Sequence, residues 1–356
     1  MPRYFASVFK VLVTLVFAGA FSLAHAQTAH SGTSAVILLY HHVAEDTPAS
    51  TSITPKRFAT HLEYLSKHHT VIDLQTAVTA MRGNGRLPDN AVVITFDDGY
   101  RNILENAHPI LKRYKMPYTI FVNPGVVGVQ AGHLSWEEMA QMADEGVLFA
   151  NHSLHHNHLL TREMNESEEA WLQRTLDDIE SAEQIIAERL GYSLKYVAYP
   201  FGEFNQRLKQ QLLQRGYIGF GQHSGAAGSV SDFGAIPRFP AAGIYANLDT
   251  LKVKLNSLPL AIKSDEVEPM QTLGSKPTVT LNLQATPPSG TAVTCFFENK
   301  PLELNATTNS FSFSLPKALS AGRSRVNCTA PSKQSGRFHW YSQPFFVADE
   351  NGQYPD

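Results

Sequence analysis

From about residue 35 to residue 260 the chain alternates short apolar runs with amphipathic stretches, and this alternation limits the possible folds more than any other feature. The runs "AVILLY", "AVVITF", "YTIFV", "LFAN", "YVAYP" and "IGFG" are apolar nearly throughout, so as strands they would be buried on both faces. Between them stand "ITPKRFATHLEYLSKH", "YRNILENAHPILKRY", "SWEEMAQMADEG", "EEAWLQRTLDDIESAEQIIAERLG" and "EFNQRLKQQLLQRG", whose apolar residues recur at helical spacing. A doubly buried strand followed by a helix is the unit of a parallel sheet. Repeated about seven times, it predicts a (β/α) barrel rather than an open sheet.

The pattern stops at residues 261–276, where Pro269, mixed charges and weak periodicity read as a linker. Residues 277–348 then hold five β-rich segments separated by Gly, Pro, Asn and Ser, the signature of a small all-β sandwich. The only cysteines, Cys295 and Cys328, fall there and are expected to form one disulfide in an oxidising compartment. Residues 1–26 read as a signal peptide: Arg3 and Lys10, an apolar run, then "AHA" before Gln27. That run is short for a span of ~20 residues, so we expect an exported protein, periplasmic or secreted, with no lasting membrane span. A net charge of −3 gives no global positive field for nucleic acid, and a neutral or weakly charged ligand fits better.

On a parallel barrel, functional side chains sit where strands end. Asp97 and Asp98 follow "VVITF", His152 and His156 follow "VLFAN" within "NHSLHHNHLL", and His41 and His42 follow "AVILLY". One carboxylate and two imidazoles make a three-ligand set for a divalent metal ion with an open position. A spacing of four would point both imidazoles the same way in a helical turn. One aspartate would then ligate the ion and the other take a proton from water, the ion's charge offsetting their repulsion. Gly99 would allow a tight backbone turn after them.

"TFDDG" (Thr95 to Gly99), "HSLHH" (His152 to His156) and "YPFG" (Tyr199 to Gly202), in this order, resemble the polysaccharide deacetylases of carbohydrate esterase family four, the NodB-homology domain, over about residues 35–260. The resemblance implies a distorted (β/α) barrel and metal-dependent removal of acetyl groups from a glycan. It makes Asp97 the general base and Asp98, His152 and His156 the metal ligands. Zinc is the default ion for that set, with nickel, cobalt or iron as alternatives. Two features depart from the commonest pattern: Ala198 and Tyr199 stand where an arginine usually precedes the third-motif proline, and a late "LxxH" motif is absent. "LLYHHV" and "AIPRFP" are similar to a rearranged subgroup that includes poly-N-acetylglucosamine deacetylases, and this similarity gives His41 the general-acid role and makes Arg238 the residue that orients Asp97. The third-motif loop, through a backbone N–H of Tyr199 or a neighbour beside Pro200, is expected to hold the oxyanion.

The expected partner is an acetylated, N-acetylglucosamine-containing glycan. Its rivals are an O-acetyl xylan or a peptidoglycan substrate and, from another class, a catalytically silent glycan-binding protein. His61, His68, His69 and His108 are expected on the surface, His155 and His158 beside the site, and His223 in a plain structural role, with lining of the cleft as its alternative. Trp136 is expected in helix packing, and Trp340 and Tyr341 in strand packing.

Overall fold

The computed structural model describes Met1 and residues 33–83, 85–263, 266–284 and 293–355. Met1 apart, the leader read at 1–26 lies outside these residues. Six parallel strands form one curled sheet in the order β1 (Ser34–Tyr40), β2 (Ala91–Phe96), β3 (Thr119–Val122), β4 (Leu148–Asn151), β5 (Tyr196–Ala198) and β6 (Ile218–Phe220). Leu38 of β1 stands opposite Ile94 of β2, and Ile120 of β3 opposite Phe149 of β4. All six residues of β2 are buried, which is why its sequence shows no alternation.

The two ends of the sheet are brought together by residues 236–241. Ile236 bridges Phe220 of β6, and β7 (Phe239–Pro240) pairs in parallel with Leu38 and Leu39 of β1. This is the expected distorted barrel, and it carries Arg238 into the middle of the closing segment. The outer layer is α1 (Pro55–His68), α2 (Leu74–Arg82), α3 (His108–Tyr114), α4 (Trp136–Asp144), α5 (Glu168–Leu190), α6 (Gln206–Gln214) and α7 (Leu248–Leu255). Local chemistry sets their ends: Ser135 and Glu138 form a capping box on α4, and Ser167 caps α5, which stops at Gly191 with φ 79°.

Two histidines expected on the surface are core residues. In α1 the buried stripe is Phe58, His61, Leu62 and Leu65, and His61 lies between the Tyr40 hydroxyl at 2.9 Å and the Ala246 carbonyl at 3.0 Å. His108 is buried against the Tyr118 hydroxyl at 2.7 Å and Glu145 at 2.8 Å. Both imidazoles are tolerated inside because each ring nitrogen has a partner. Trp136 packs against the barrel core as expected.

The C-terminal part packs two antiparallel layers face to face. One contains β9 (Thr294–Phe297), β11 (Gly322–Pro331) and β12 (Phe338–Val347); the other holds β8 (Thr278–Asn282) and β10 (Ser310–Ser314). Their inner faces supply a separate apolar core that includes Val279, Leu281, Phe311, Phe313, Val326 and Phe345. Met270–Gln271, inside the stretch read as a linker, pairs with Phe346–Val347 of β12, and Ser257–Pro259 pairs with Phe338–Trp340. Trp340 meets Phe239 of the barrel edge-on at 5.3 Å, so this aromatic joins the sheet to the barrel.

Cys295 and Cys328 form a disulfide between directly opposed residues of β9 and β11. The 33-residue separation gives an expected loss of ~3–4 kcal/mol when both are replaced by alanine, from the loop-closure entropy returned to the unfolded chain. Denaturant unfolding of the double variant beside the oxidised wild type checks this; a midpoint shift below ~1 kcal/mol would show that the crosslink constrains little.

Candidate active site

The aspartate pair sits where β2 ends. Asp97 still pairs with β1, its N–H donating to the Tyr40 carbonyl, and is 0% exposed. Asp98 and Gly99 then turn through φ 71° and 69°, which swings the second carboxylate away from the first. A Cβ on Gly99 would come within 2.9 Å of Val122, so glycine is required there on two counts. Asp98, with a side chain and the same left-handed φ, is held in a conformation that costs energy, a common feature of functional turns.

His152 and His156 lie on the bend after β4, and no helix forms there; this corrects the expectation of a helical turn. Ser153 and His156 have φ 66° and 58°, and these bends bring the two rings to 4.9 Å, the result the spacing argument had assigned to a helix. Two buried asparagines at strand ends secure the bend. Asn123 donates to the carbonyls of His152 and Ser153, and Asn151 accepts from the Ser153 N–H at 2.8 Å. Asp178 of α5 accepts from the Leu154 N–H at 2.8 Å. Neither asparagine was singled out from the sequence, although both occupy strand ends.

Asp98, His152 and His156 present ligand atoms that all lie within 4.8 Å of one another. Asp98 Oδ1 is 3.3 Å from Nε2 of each histidine. Asp98 Oδ1 and His152 Nε2 are buried with no hydrogen-bond partner among the described residues. Two orphaned electron-pair donors aimed at one point are costly in a bare protein and suit a cation. His152 Nδ1–H donates to the Ala198 carbonyl at 2.8 Å, which fixes the tautomer and turns the Nε2 lone pair into the site. Burial, aided by neighbouring His152, pushes His156 down to about 4, so its ring is neutral and able to ligate at physiological pH.

Arg238 meets Asp97 through two parallel hydrogen bonds, Nη1 to Oδ1 at 2.7 Å and Nη2 to Oδ2 at 2.8 Å, with both residues fully buried. Its Nε–H donates to the Gly221 carbonyl at 3.0 Å. Burial opposes the Asp97 charge, but Arg238 and then His152 outweigh it and hold the carboxyl below its usual range. Burial also opposes the Asp98 charge, and His152, His41 and His156 reverse that.

A cleft of about 720 Å³ opens over this centre, lined by His41, Asp98, His156, Tyr100, Phe201 and His223 among others. His42, next to His41, is not among the lining residues; it stacks on Tyr100 at 3.6 Å and hydrogen-bonds with Asn102 at 2.8 Å. Tyr199 is corrected as an oxyanion donor: its N–H donates to the Phe220 carbonyl and its hydroxyl to the Gly234 carbonyl, and its side chain is fully buried. Pro200 has no N–H. Gly202 and Glu203 donate back to Tyr199 and Pro200, which leaves Phe201 N–H as the third-motif donor with no backbone acceptor among the described residues. Phe201 adopts φ 57°, stacks on His158 at 3.8 Å and meets His156 at 4.6 Å. His155 and His158 flank the ligands: His155 lies exposed near Asp178 at 3.4 Å, and His158 meets Glu203 at 3.1 Å.

A curled parallel barrel with an Asp–His–His cluster and a clamped second aspartate at the strand ends defines a site able to hold a divalent ion beside an ionised carboxylate. Two solved structures share that fold: the Streptococcus pyogenes deacetylase PplD in complex with acetate, at 21% identity and TM-score 0.56 over 63% of this chain and 99% of that one, and IcaB from Ammonifex degensii, at 24% and 0.54 over 63% and 98%. Residues 84–219 match the family model "Polysaccharide deacetylase". Among curated relatives, the poly-beta-1,6-N-acetyl-D-glucosamine N-deacetylase of Staphylococcus aureus (strain MRSA252) is 28% identical over 162 residues, 43% of this chain. The chain spans 55% of that relative's length and 65% of another's, YxkH of Bacillus subtilis (strain 168). His41 and Arg238 lie outside residues 84–219, the segment that the family model matches.

Proposed function

We propose that this protein is an exported, metal-dependent hydrolase that removes N-acetyl groups from an N-acetylglucosamine-containing glycan. The observation that carries this reading is the convergence of Asp98, His152 and His156 beside a buried Asp97 that Arg238 holds ionised, with Asp98 and His156 lining an open cleft. Binding alone needs no second, clamped carboxylate next to the ligands. Export is supported by the leader-like N-terminus and by the disulfide. Among the described residues no helix is long and apolar enough to cross a membrane.

A divalent ion held by Asp98, His152 and His156, zinc by default, would supply Lewis-acid activation of water and of the acetyl carbonyl. Asp97 takes a proton from the attacking water, and Arg238 keeps its carboxylate ionised and oriented for that step. Phe201 N–H stabilises the developing oxyanion. His41, on the wall of the same cleft, protonates the departing sugar nitrogen as the C–N bond breaks, so acetate and a free amine leave. An amide has a poor leaving group, which is why an acid opposite the base is needed.

Acetate release from N-acetylchitooligosaccharides and O-acetylated xylan, measured for zinc-loaded wild type beside Asp97→Asn, tests this reading. Wild type is expected to prefer the N-acetylated substrate, and Asp97→Asn to lose ~10²–10⁴-fold in kcat with zinc still bound. Equal inactivity of both on every substrate, with glycan binding intact, would establish a binding module instead.

A further inference from the structure

The cleft wall contributed by the C-terminal sheet is positively charged. Arg323 and Arg325 of β11 stand opposite Phe346 and Pro344 of β12, and all four residues line the cleft with Asp98 and His156. Two residues apart on a strand, the arginines share a face. Among the described lining residues, they are the only Asp, Glu, Lys or Arg apart from Asp98.

Their recorded hydrogen bonds go to neutral acceptors: Arg323 Nη1 donates to the Phe201 carbonyl at 2.8 Å and Arg325 Nη2 to the Tyr245 hydroxyl at 3.1 Å. Each guanidinium has five N–H donors, so most remain for a ligand. A third cation, Lys254, has Nζ 4.4 Å from the centre of the Tyr245 ring, and it donates to the Pro240 carbonyl. Burial and the nearby Arg325 push it down to about 8. Docking the sheet onto the barrel requires donors but not charge, and like charges gathered on one wall repel unless an anion compensates them. The weak overall charge of the chain hides this local concentration.

We propose that Arg323 and Arg325 form an anion subsite, which takes a carboxylate or phosphate substituent carried by the acetylated glycan beside the sugar that loses its acetyl group. This inference rests on the glycan-deacetylase reading and narrows its substrate class to acidic glycans. Arginine forks fit both groups bidentately.

Calorimetric binding to zinc-loaded Asp97→Asn protein tests the subsite without turnover. The probes are N-acetylchitotetraose, a tetrasaccharide of alternating N-acetylglucosamine and N-acetylmuramic acid, a phosphorylated N-acetylated oligosaccharide, and sodium acetate. The acidic glycans are expected to bind about tenfold more tightly than the neutral one at low salt, with the gap closing at high salt. Whichever of carboxylate and phosphate binds better identifies the substituent. Adding Arg325→Gln, which keeps a donor for Tyr245 but removes the charge, is expected to bring the ratio to within about twofold, and Tyr245→Phe to leave it unchanged. Equal affinity for acidic and neutral glycans overturns the proposal, and so does an Arg325-dependent site that takes only acetate. If the preference holds but wild type releases no acetate from any probe, the subsite stands and the deacetylase reading falls.

Discussion

Arg238→Met is expected to destabilise the folded protein by about 3–5 kcal/mol at neutral pH, because it leaves the fully buried Asp97 carboxylate without its two charged donors. Methionine fills most of the volume, so the loss reports the stranded charge more than a cavity. The double variant Asp97→Asn/Arg238→Met removes both charges and is expected to regain most of that stability while remaining inactive, since a buried ion pair replaced as a unit costs little. A pH series separates the causes. In the wild type the depressed Asp97 carboxyl contributes stability above its unfolded range, and loses it as pH falls through the folded value. In Arg238→Met burial loses its chief opponent, with only the neighbouring His152 and His41 left against it, so that carboxyl is expected to rise, and the penalty grows with rising pH and shrinks on acidification. Urea unfolding of the three proteins at pH 7 and pH 4.5 reads both effects. A single-variant loss below ~1 kcal/mol at pH 7, or no recovery in the double variant, would mean that Arg238 does not carry the Asp97 charge.

The sheet was legible because its strands are buried on both faces and so read as uninterrupted apolar runs. Asp97 and Asp98 were legible because a strand end cannot hold two adjacent carboxylates without a reason. The pairing of Arg238 with Asp97 links positions 141 apart, and only similarity to a rearranged subgroup pointed to it. His61 was misread although its signal was present: it falls between Phe58 and Leu65 on the apolar stripe of α1, where a polar residue with two partners can be core. The bend at His152–His156 was misread as helical because spacing alone does not distinguish a helical turn from two left-handed residues. Phe201 stood in a quoted motif, yet its N–H emerges as a donor only once the neighbours' N–H groups are seen to be committed. Arg323 and Arg325 had one local signal, alternation on a strand, and nothing in the sequence tells which face of that strand would meet the barrel.

His152→Ala should have the largest effect on chemistry, taking acetate release to the uncatalysed background, a loss beyond ~10⁴-fold, because it removes a fully buried ligand whose orientation is already fixed. The ring donates through Nδ1 to the Ala198 carbonyl, and its buried Nε2 has no hydrogen-bond partner among the described residues, so it is free to ligate. His156 is held less firmly: its side chain is 29% exposed, and aromatic contact with Phe201 at 4.6 Å restrains it. Zinc affinity should therefore fall further in His152→Ala than in His156→Ala. Thermal unfolding gives a readout independent of activity. Zinc at a hundred times its dissociation constant should stabilise the wild type by about 2.7 kcal/mol, His156→Ala by less, and His152→Ala by nothing measurable. An equal zinc-induced shift in all three proteins would place the ion elsewhere, and the Asp98–His152–His156 cluster would then have to be explained as a buried polar network. The orphaned Asp98 Oδ1 and His152 Nε2 argue against that outcome, since a purely structural network leaves no reason for two facing donors of electron pairs to remain unpaired.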